Sequence, residues 1–179
     1  MDFERYVAER GRALERYAYV LTGDAHLAQD LTQTALLRAY RRWRRVVRAD
    51  QPDLYVRRIL TNVWIDHSRR RSSSERPVAE VVDVVAGNDP AERVVALDEL
   101  RRALTGLTPG QRAVLTLRHL EGYDDDAVAR VLGCSVGTVR SHASRGMQRL
   151  RKLLGEGDDA DAEDRRHGSA GTKEGVHDA

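Results

Sequence analysis

Residues 124–154 read DDDAVARVLGCSVGTVRSHASRGMQRLRKLL, and the punctuation of that stretch leaves few folds open. Asp124 is placed to cap a short helix whose Val128 and Leu132 share a face, and Gly133 is placed to end it. Ser135 then offers a cap for a longer helix reaching about Leu154. A short capped helix, a glycine-containing turn and a longer helix have the spacing of a helix-turn-helix. Val136, Val139, Met147 and Leu150 supply the inward face of the longer helix.

Charge says which partner such a unit suits. From Ala127 to Lys152 there are six basic residues, Arg130, Arg140, Arg145, Arg149, Arg151 and Lys152, and no acid. In helix-turn-helix proteins the N-terminal part of the second helix reaches base edges in the major groove, which here presents Thr138, Arg140, Ser141, Ser144 and Arg145. Charge alone fits a solvated basic face equally well. The turn chemistry occurring together with that charge favours DNA binding.

The rest of the chain reads as helices too. Phe3, Tyr6, Val7, Leu14, Tyr17 and Leu21 recur at helical spacing until Thr22-Gly23, and Asp24 offers a new cap. A second helix is expected from about Ala25 to Val47, with Leu27, Leu31, Ala35, Ala39 and Trp43 on one face. Pro52 marks a break before a third, about Asp53 to Arg71, that buries Leu54, Ile59, Leu60 and Val63. Residues 72–88 carry serine and proline breakers and read as a linker, with a short extended piece at VAEVVDVV. Asp89-Pro90 and Thr108-Pro109 each supply a cap followed by proline at the first helical position, so helices are expected over Pro90 to Thr105 and Pro109 to Leu120. After Leu154 the chain is rich in glycine and acid, without period, and is expected to be a disordered tail. The fold class is therefore all-α, two small helical domains joined by a flexible linker. The expected boundaries are residues 1–72, a linker over 73–89, a second domain over 90–154 and a tail over 155–179.

The net charge of +2 conceals an asymmetry: fifteen arginines against nine acids up to Ser72, but three basic and eight acidic residues from Gly155 onward. Arginine dominates throughout, Lys152 and Lys173 being the only lysines, a spread that fits a GC-rich genome better than selection at one site. The longest apolar runs fall far short of a membrane span, the N-terminus lacks a signal-peptide core, and a single cysteine cannot form an internal disulfide. A cytoplasmic protein without a membrane partner is expected.

Little of this sequence suits catalysis. Asp124, Asp125 and Asp126 resemble a metal cluster, but consecutive helical residues point about 100° apart and suit a helix start instead. The six histidines show no ligand spacing, and Asp66-His67 reads as an exposed pair. Cys134 reads as a small packed residue of the turn. No cofactor or metal is expected. A stand-alone dimeric regulator would use the same helix-turn-helix but leaves the first helical module unexplained.

At these residues the chain resembles the sigma-70 family of RNA polymerase sigma factors. The 124–154 stretch is similar to the family's minus-35-binding helix-turn-helix, and GLTPGQRAVLTLRHLEGY to the helix before it. GDAHLAQDLTQTALLRAYRRW looks like the polymerase-binding helix, and LYVRRILTNVWIDHSRRR like the segment that melts and reads the minus-10 element. The absence of a large insertion is similar to the small extracytoplasmic-function (ECF) group. The resemblance implies a non-enzymatic factor that binds core RNA polymerase, through the largest-subunit clamp helices and the flap, and promoter DNA. Many members are held by an anti-sigma factor, a further candidate partner.

Carried over by position, Asp30, Gln33, Leu37 and Arg41 would dock on the polymerase. Asn62 and the loop before its helix would capture a flipped non-template base, whose exposed edge an amide reads with both donor and acceptor. Trp64 would stack near the melted strand or belong to the core. Arg57, Arg58, Arg69, Arg70 and Arg71 would hold the backbone of the opening bubble. Thr138, Arg140, Ser141, Ser144 and Arg145 would read the minus-35 element, with Ser144 standing where some members carry a large aromatic side chain. The acidic tail is extra to the family pattern and reads as solubilising sequence or as a competitor for the basic surfaces.

Overall fold

Asp2 and Gly23 bracket the first helix, α1 (Phe3–Thr22): the Asp2 carboxylate accepts from the Arg5 amide at 2.8 Å, and Gly23, at φ 72°, returns its N–H to the Tyr19 carbonyl. The computed structural model describes the backbone of residues 1–74 and 99–155, and the side chains of 1–71 and 99–155. Every regular element among the described residues is helical. Asp24 caps α2 (Ala25–Tyr40) by accepting from the Leu27 amide at 3.0 Å; α3 (Trp43–Val46) is one turn long and α4 runs Pro52–Ser74. Residues 99–105 form α5, α6 spans Pro109–Leu115 and continues as a π-helical turn over Thr116–Leu120, and α7 (Asp125–Leu132) and α8 (Val136–Leu153) complete the chain. The expected linker with its extended piece, the start of the helix at Pro90 and the acidic tail beyond residue 155 lie outside the described residues.

Two expected helices are corrected. The single helix expected from Ala25 to Val47 stops at Tyr40, and Arg42, at φ −124° and ψ 21°, leaves helical geometry before α3. A stripe of residues four apart drifts about 40° per step in a straight helix, so by Trp43 it has rotated roughly 160° from Leu27. The break turns Trp43 back to the core, where its ring lies 5.3 Å from Phe3 and 5.2 Å from Tyr6. The helix expected from Pro109 to Leu120 is α-helical only to Leu115. Glu121 then donates to the Thr116 carbonyl at 3.1 Å, five residues back, while the Thr116 hydroxyl donates to the Arg112 carbonyl at 2.8 Å. A π turn of this kind re-aims the residues beyond it.

The two halves of the chain meet on both sides of that turn. Tyr17, Leu21, Leu60 and Trp64 from the first half, and Leu107, Val114, Leu117, Val128 and Val131 from the second, belong to one continuous core. α4 lies in the middle of it, with α1 and α2 on one side and α6 and α7 on the other. Within the first half, the fully buried Tyr17 hydroxyl and Thr61 Oγ1 are 2.7 Å apart, and Thr61 also donates to the Arg57 carbonyl. Packing of the two halves against each other is a property that linker composition does not encode.

Candidate nucleic-acid interface

The helix-turn-helix is built by its capping groups. Asp124 accepts from the Ala127 amide at 2.7 Å, Gly133 adopts φ 65°, and Ser135 accepts from the Thr138 amide at 3.1 Å. Val139, Ala143 and Gly146 form the buried stripe of α8, with Val136, Met147 and Leu150 half-buried beside them. A Cβ placed on Gly146 would stand 3.2 Å from Gln111 Cβ and from Leu115, so the small residue lets α8 lie close against α6. That role of Ala143 and Gly146 was missed by apolar spacing, which counts large side chains only.

With that stripe inward, Thr138, Arg140, Ser141, Ser144 and Arg145 are all exposed. Two of them are oriented by neighbours. Thr138 Oγ1 lies 2.9 Å from the Ser135 hydroxyl, and the Arg140 guanidinium Nε bonds Asp125 Oδ2 at 3.2 Å across the turn. Asp125 also pairs with Arg118 at 3.1 Å, so one carboxylate on the first helix of the motif holds two arginines. The Asp124–Asp126 run thus divides into a cap and an ion-pair hub. Cys134 in the turn is half-buried, and burial pushes its thiol pKa up, which disfavours the reactive thiolate.

The first half presents its polar residues on two surfaces. On α2 and its C-cap, Asp30, Gln33, Leu37 and Arg41 are exposed at steps of three and four, and Leu37 is 53% exposed beside Tyr40 at 57%. Two large apolar groups on an otherwise polar face suit contact with another protein. On α4, Arg58, Asn62, Arg69, Arg70 and Arg71 are exposed, with Arg58, Asn62 and Arg69 at steps of four and seven on one side.

Two residues expected among the DNA contacts, Trp64 and Arg57, are buried in this arrangement. Trp64 is 3% exposed and packs in the core with the Arg112 guanidinium 5.7 Å from its ring centroid, so stacking on a melted strand is closed to it in this arrangement. Arg57 is 7% exposed; its guanidinium forms an ion pair with Glu121 and lies 5.8 Å from the Tyr17 ring centroid and 5.9 Å from that of Tyr123. Burial works against the Arg57 cation, but Glu121 and Tyr123 outweigh it and raise its pKa overall. Arg57 and Arg58 are adjacent and point about 100° apart, and nothing in their spacing shows that the first turns inward and the second outward. Arg112, also unmarked by any sequence pattern, is 8% exposed and donates to the carbonyls of Leu21 and Thr105 at 2.7 Å and of Leu107 at 3.4 Å. Burial pushes its pKa down to about 10, which leaves it charged at neutral pH.

The sequence family described as sigma-70 region 2 matches residues 6–74, and the one described as sigma-70, region 4 matches residues 97–150. The chain is 38% identical over 165 residues to an RNA polymerase sigma-E factor of Streptomyces avermitilis, covering 90% of this chain and 89% of that one. It is 33% identical to the ECF RNA polymerase sigma factor SigE of Mycolicibacterium smegmatis, covering 86% of this chain and 62% of that one. Among solved structures, the sigma factor RpoE in complex with the anti-sigma factor NepR from Bartonella quintana is similar with a TM-score of 0.72 and 25% identity, over 86% of this chain and 96% of that one. The helix-turn-helix, the exposed faces of α2 and α4, and the match of both halves in family order lead to one assignment: the chain belongs to the sigma-70 family, in its ECF group, and is a non-enzymatic factor that binds core RNA polymerase and promoter DNA to direct promoter-specific transcription initiation.

Proposed function

We propose that the chain divides its work among three exposed surfaces. α8 reads the minus-35 element through Arg140, Ser141, Ser144 and Arg145, with Thr138 at the groove entrance. The carrying observation is that these side chains emerge together from a helix packed by small residues on its other side, in a stretch without an acid. Arginine at the head of such a helix matches the paired acceptors of guanine, a contact worth about 1–3 kcal/mol of base discrimination. The Asp125 bond pre-sets Arg140, which reduces the ordering cost of that contact.

The exposed side of α4 reads and melts the minus-10 element. Asn62 is placed to bond the edge of a flipped base, and Arg58, Arg69, Arg70 and Arg71 hold the strand backbone, a sequence-independent task weakened by salt. Trp64 supports this surface from beneath rather than touching DNA. Asp30, Gln33, Leu37 and Arg41 dock on the clamp helices of the largest polymerase subunit, and the second domain engages the flap. Residues 1–72 and 90–154 act as the two reading domains, 73–89 as their connection and 155–179 as a solubilising acidic tail. The setting is cytoplasmic, in keeping with the lack of any helix among the described residues long and apolar enough to cross a membrane. The likeness to an anti-sigma-bound RpoE supports a protein partner of that kind.

Run-off transcription with purified core polymerase on upstream fragments of the source genome tests the whole reading. New start sites sharing spaced minus-35 and minus-10 elements are expected only when the protein is added. Absence of both core binding and new starts would overturn it.

A further inference from the structure

Asp125 makes more contacts than a helix start requires. Acids in the first turn of α7 suit the positive end of its dipole, and Asp124 already caps that helix. Of the three acids in the run, Asp125 is the one whose pairings reach other elements among the described residues. Its Oδ2 accepts from Nε of Arg140 on α8 at 3.2 Å, and its buried Oδ1 lies 3.1 Å from Nε of Arg118. Arg118 belongs to the π turn, so three consecutive elements meet at one carboxylate.

Stability does not account for the pairing. The Arg140 side chain is 72% exposed, and an ion pair that open to water stabilises a fold little. Geometry gives it more consequence. A guanidinium can offer guanine a fork in two ways, end-on with both Nη groups or side-on with Nε and one Nη. With the Nε hydrogen committed to Asp125, the end-on fork is the one left to present. Arg118 grips the carboxylate from its buried side, which holds it in place and offsets its charge where the first helix of the motif crosses the DNA backbone. Arg140 has no second bond among the described residues, so without Asp125 its guanidinium would sweep between the groove and the neighbouring phosphates.

We propose that Asp125 is a specificity-determining positioning residue of the minus-35 surface: by holding Nε of Arg140 it commits that guanidinium to an end-on fork, and so to a guanine edge, and it acts on the base through Arg140 alone. This rests on the assignment of α8 to the minus-35 element. The carboxylate has two opposed effects on binding. It sharpens the choice of base by ordering Arg140, and as an anion beside the DNA backbone it weakens attraction to any duplex. Asp125 thus trades sequence-independent affinity for discrimination, a combination that a residue serving the helix start alone would not produce.

Promoter selection by holoenzyme, paired with low-salt binding of the full chain to a duplex of scrambled sequence, tests this with wild type, Asp125→Ala, Arg140→Ala and the double variant. Asp125→Ala is expected to lower the base preference at the Arg140 position by about two- to tenfold, the factor for ordering one long side chain. The same variant should bind the scrambled duplex about two- to fivefold more tightly, as for removal of one surface charge. In the double variant the preference should equal that of Arg140→Ala, since Asp125 has no other route to the base. An Asp125→Ala protein with unaltered preference, one that loses preference and scrambled-duplex affinity together, or a double variant with a further loss of preference would each overturn the inference. Arg140→Ala separates the two ideas: if it abolishes the preference while Asp125→Ala does not lower it, Asp125 alone is refuted, whereas unaltered minus-35 preferences in Arg140→Ala refute the reading of that base by Arg140 itself.

Discussion

α8 and α4 are both helices with exposed basic side chains proposed to meet DNA, yet they were unequally readable. α8 is packed on one side only, so its apolar stripe leaves the opposite face to solvent and every expected reader is found there. α4 is packed on two sides, by α1 and α2 and again by α6 and α7. Leu54, Ile59, Leu60 and Val63 announce a buried side, of which Ile59 is only half-buried, but Arg57, Thr61 and Trp64 are buried as well. A helix gripped twice hides polar residues that its own pattern would assign to the surface.

The largest effect expected from this contrast is on stability. Trp64→Ala should cost about 3–5 kcal/mol in chemical unfolding, the range for emptying a large aromatic site. Arg140→Ala should stay within about 0.5 kcal/mol of wild type, as for other surface changes. A Trp64→Ala protein as stable as wild type would return Trp64 to the surface and erase the difference between the helices. Next, Arg140→Ala in the holoenzyme should lose about 1–3 kcal/mol of discrimination at one minus-35 position in competition binding. Equal losses at all positions would make Arg140 a backbone contact instead.

Smaller effects sharpen the account of how each helix is set. Asp124→Ala removes the cap of α7 and should lower stability by about 1 kcal/mol, with minus-35 affinity falling and minus-10 oligonucleotide binding kept. Smallest of all, Arg70→Gln should reduce the slope of log affinity against log salt for single-stranded DNA by about 0.7, one phosphate contact. A slope identical to wild type would remove Arg70 from the strand path.

Legibility tracked the range of the interaction. The caps at Asp24, Thr108, Asp124 and Ser135, and the stops at Gly23 and Gly133, act within a few residues, and each is where the sequence placed it. The break after Tyr40 was missed because it serves Trp43's contact with Phe3 and Tyr6, at the far end of the first domain's sequence. The burial of Arg57 depends on Glu121, and that of Trp64 on Arg112, and neither partner advertises its role through spacing or composition. Asp125 looked like part of an acidic helix start and serves as the hub that orients Arg140, a pairing across fifteen residues. The exposed residues of α8 proposed to read DNA were legible; the residues that aim and shield them were not.

The most direct test of the division of labour is promoter selection from a randomised library by holoenzyme carrying wild type, Arg140→Ala or Asn62→Ala. Arg140→Ala is expected to relax the preference at one minus-35 position and leave the minus-10 preference intact, and Asn62→Ala to do the reverse. Unaltered preferences in both variants, or loss of both elements in each, would contradict the assignment of the two elements to α8 and α4.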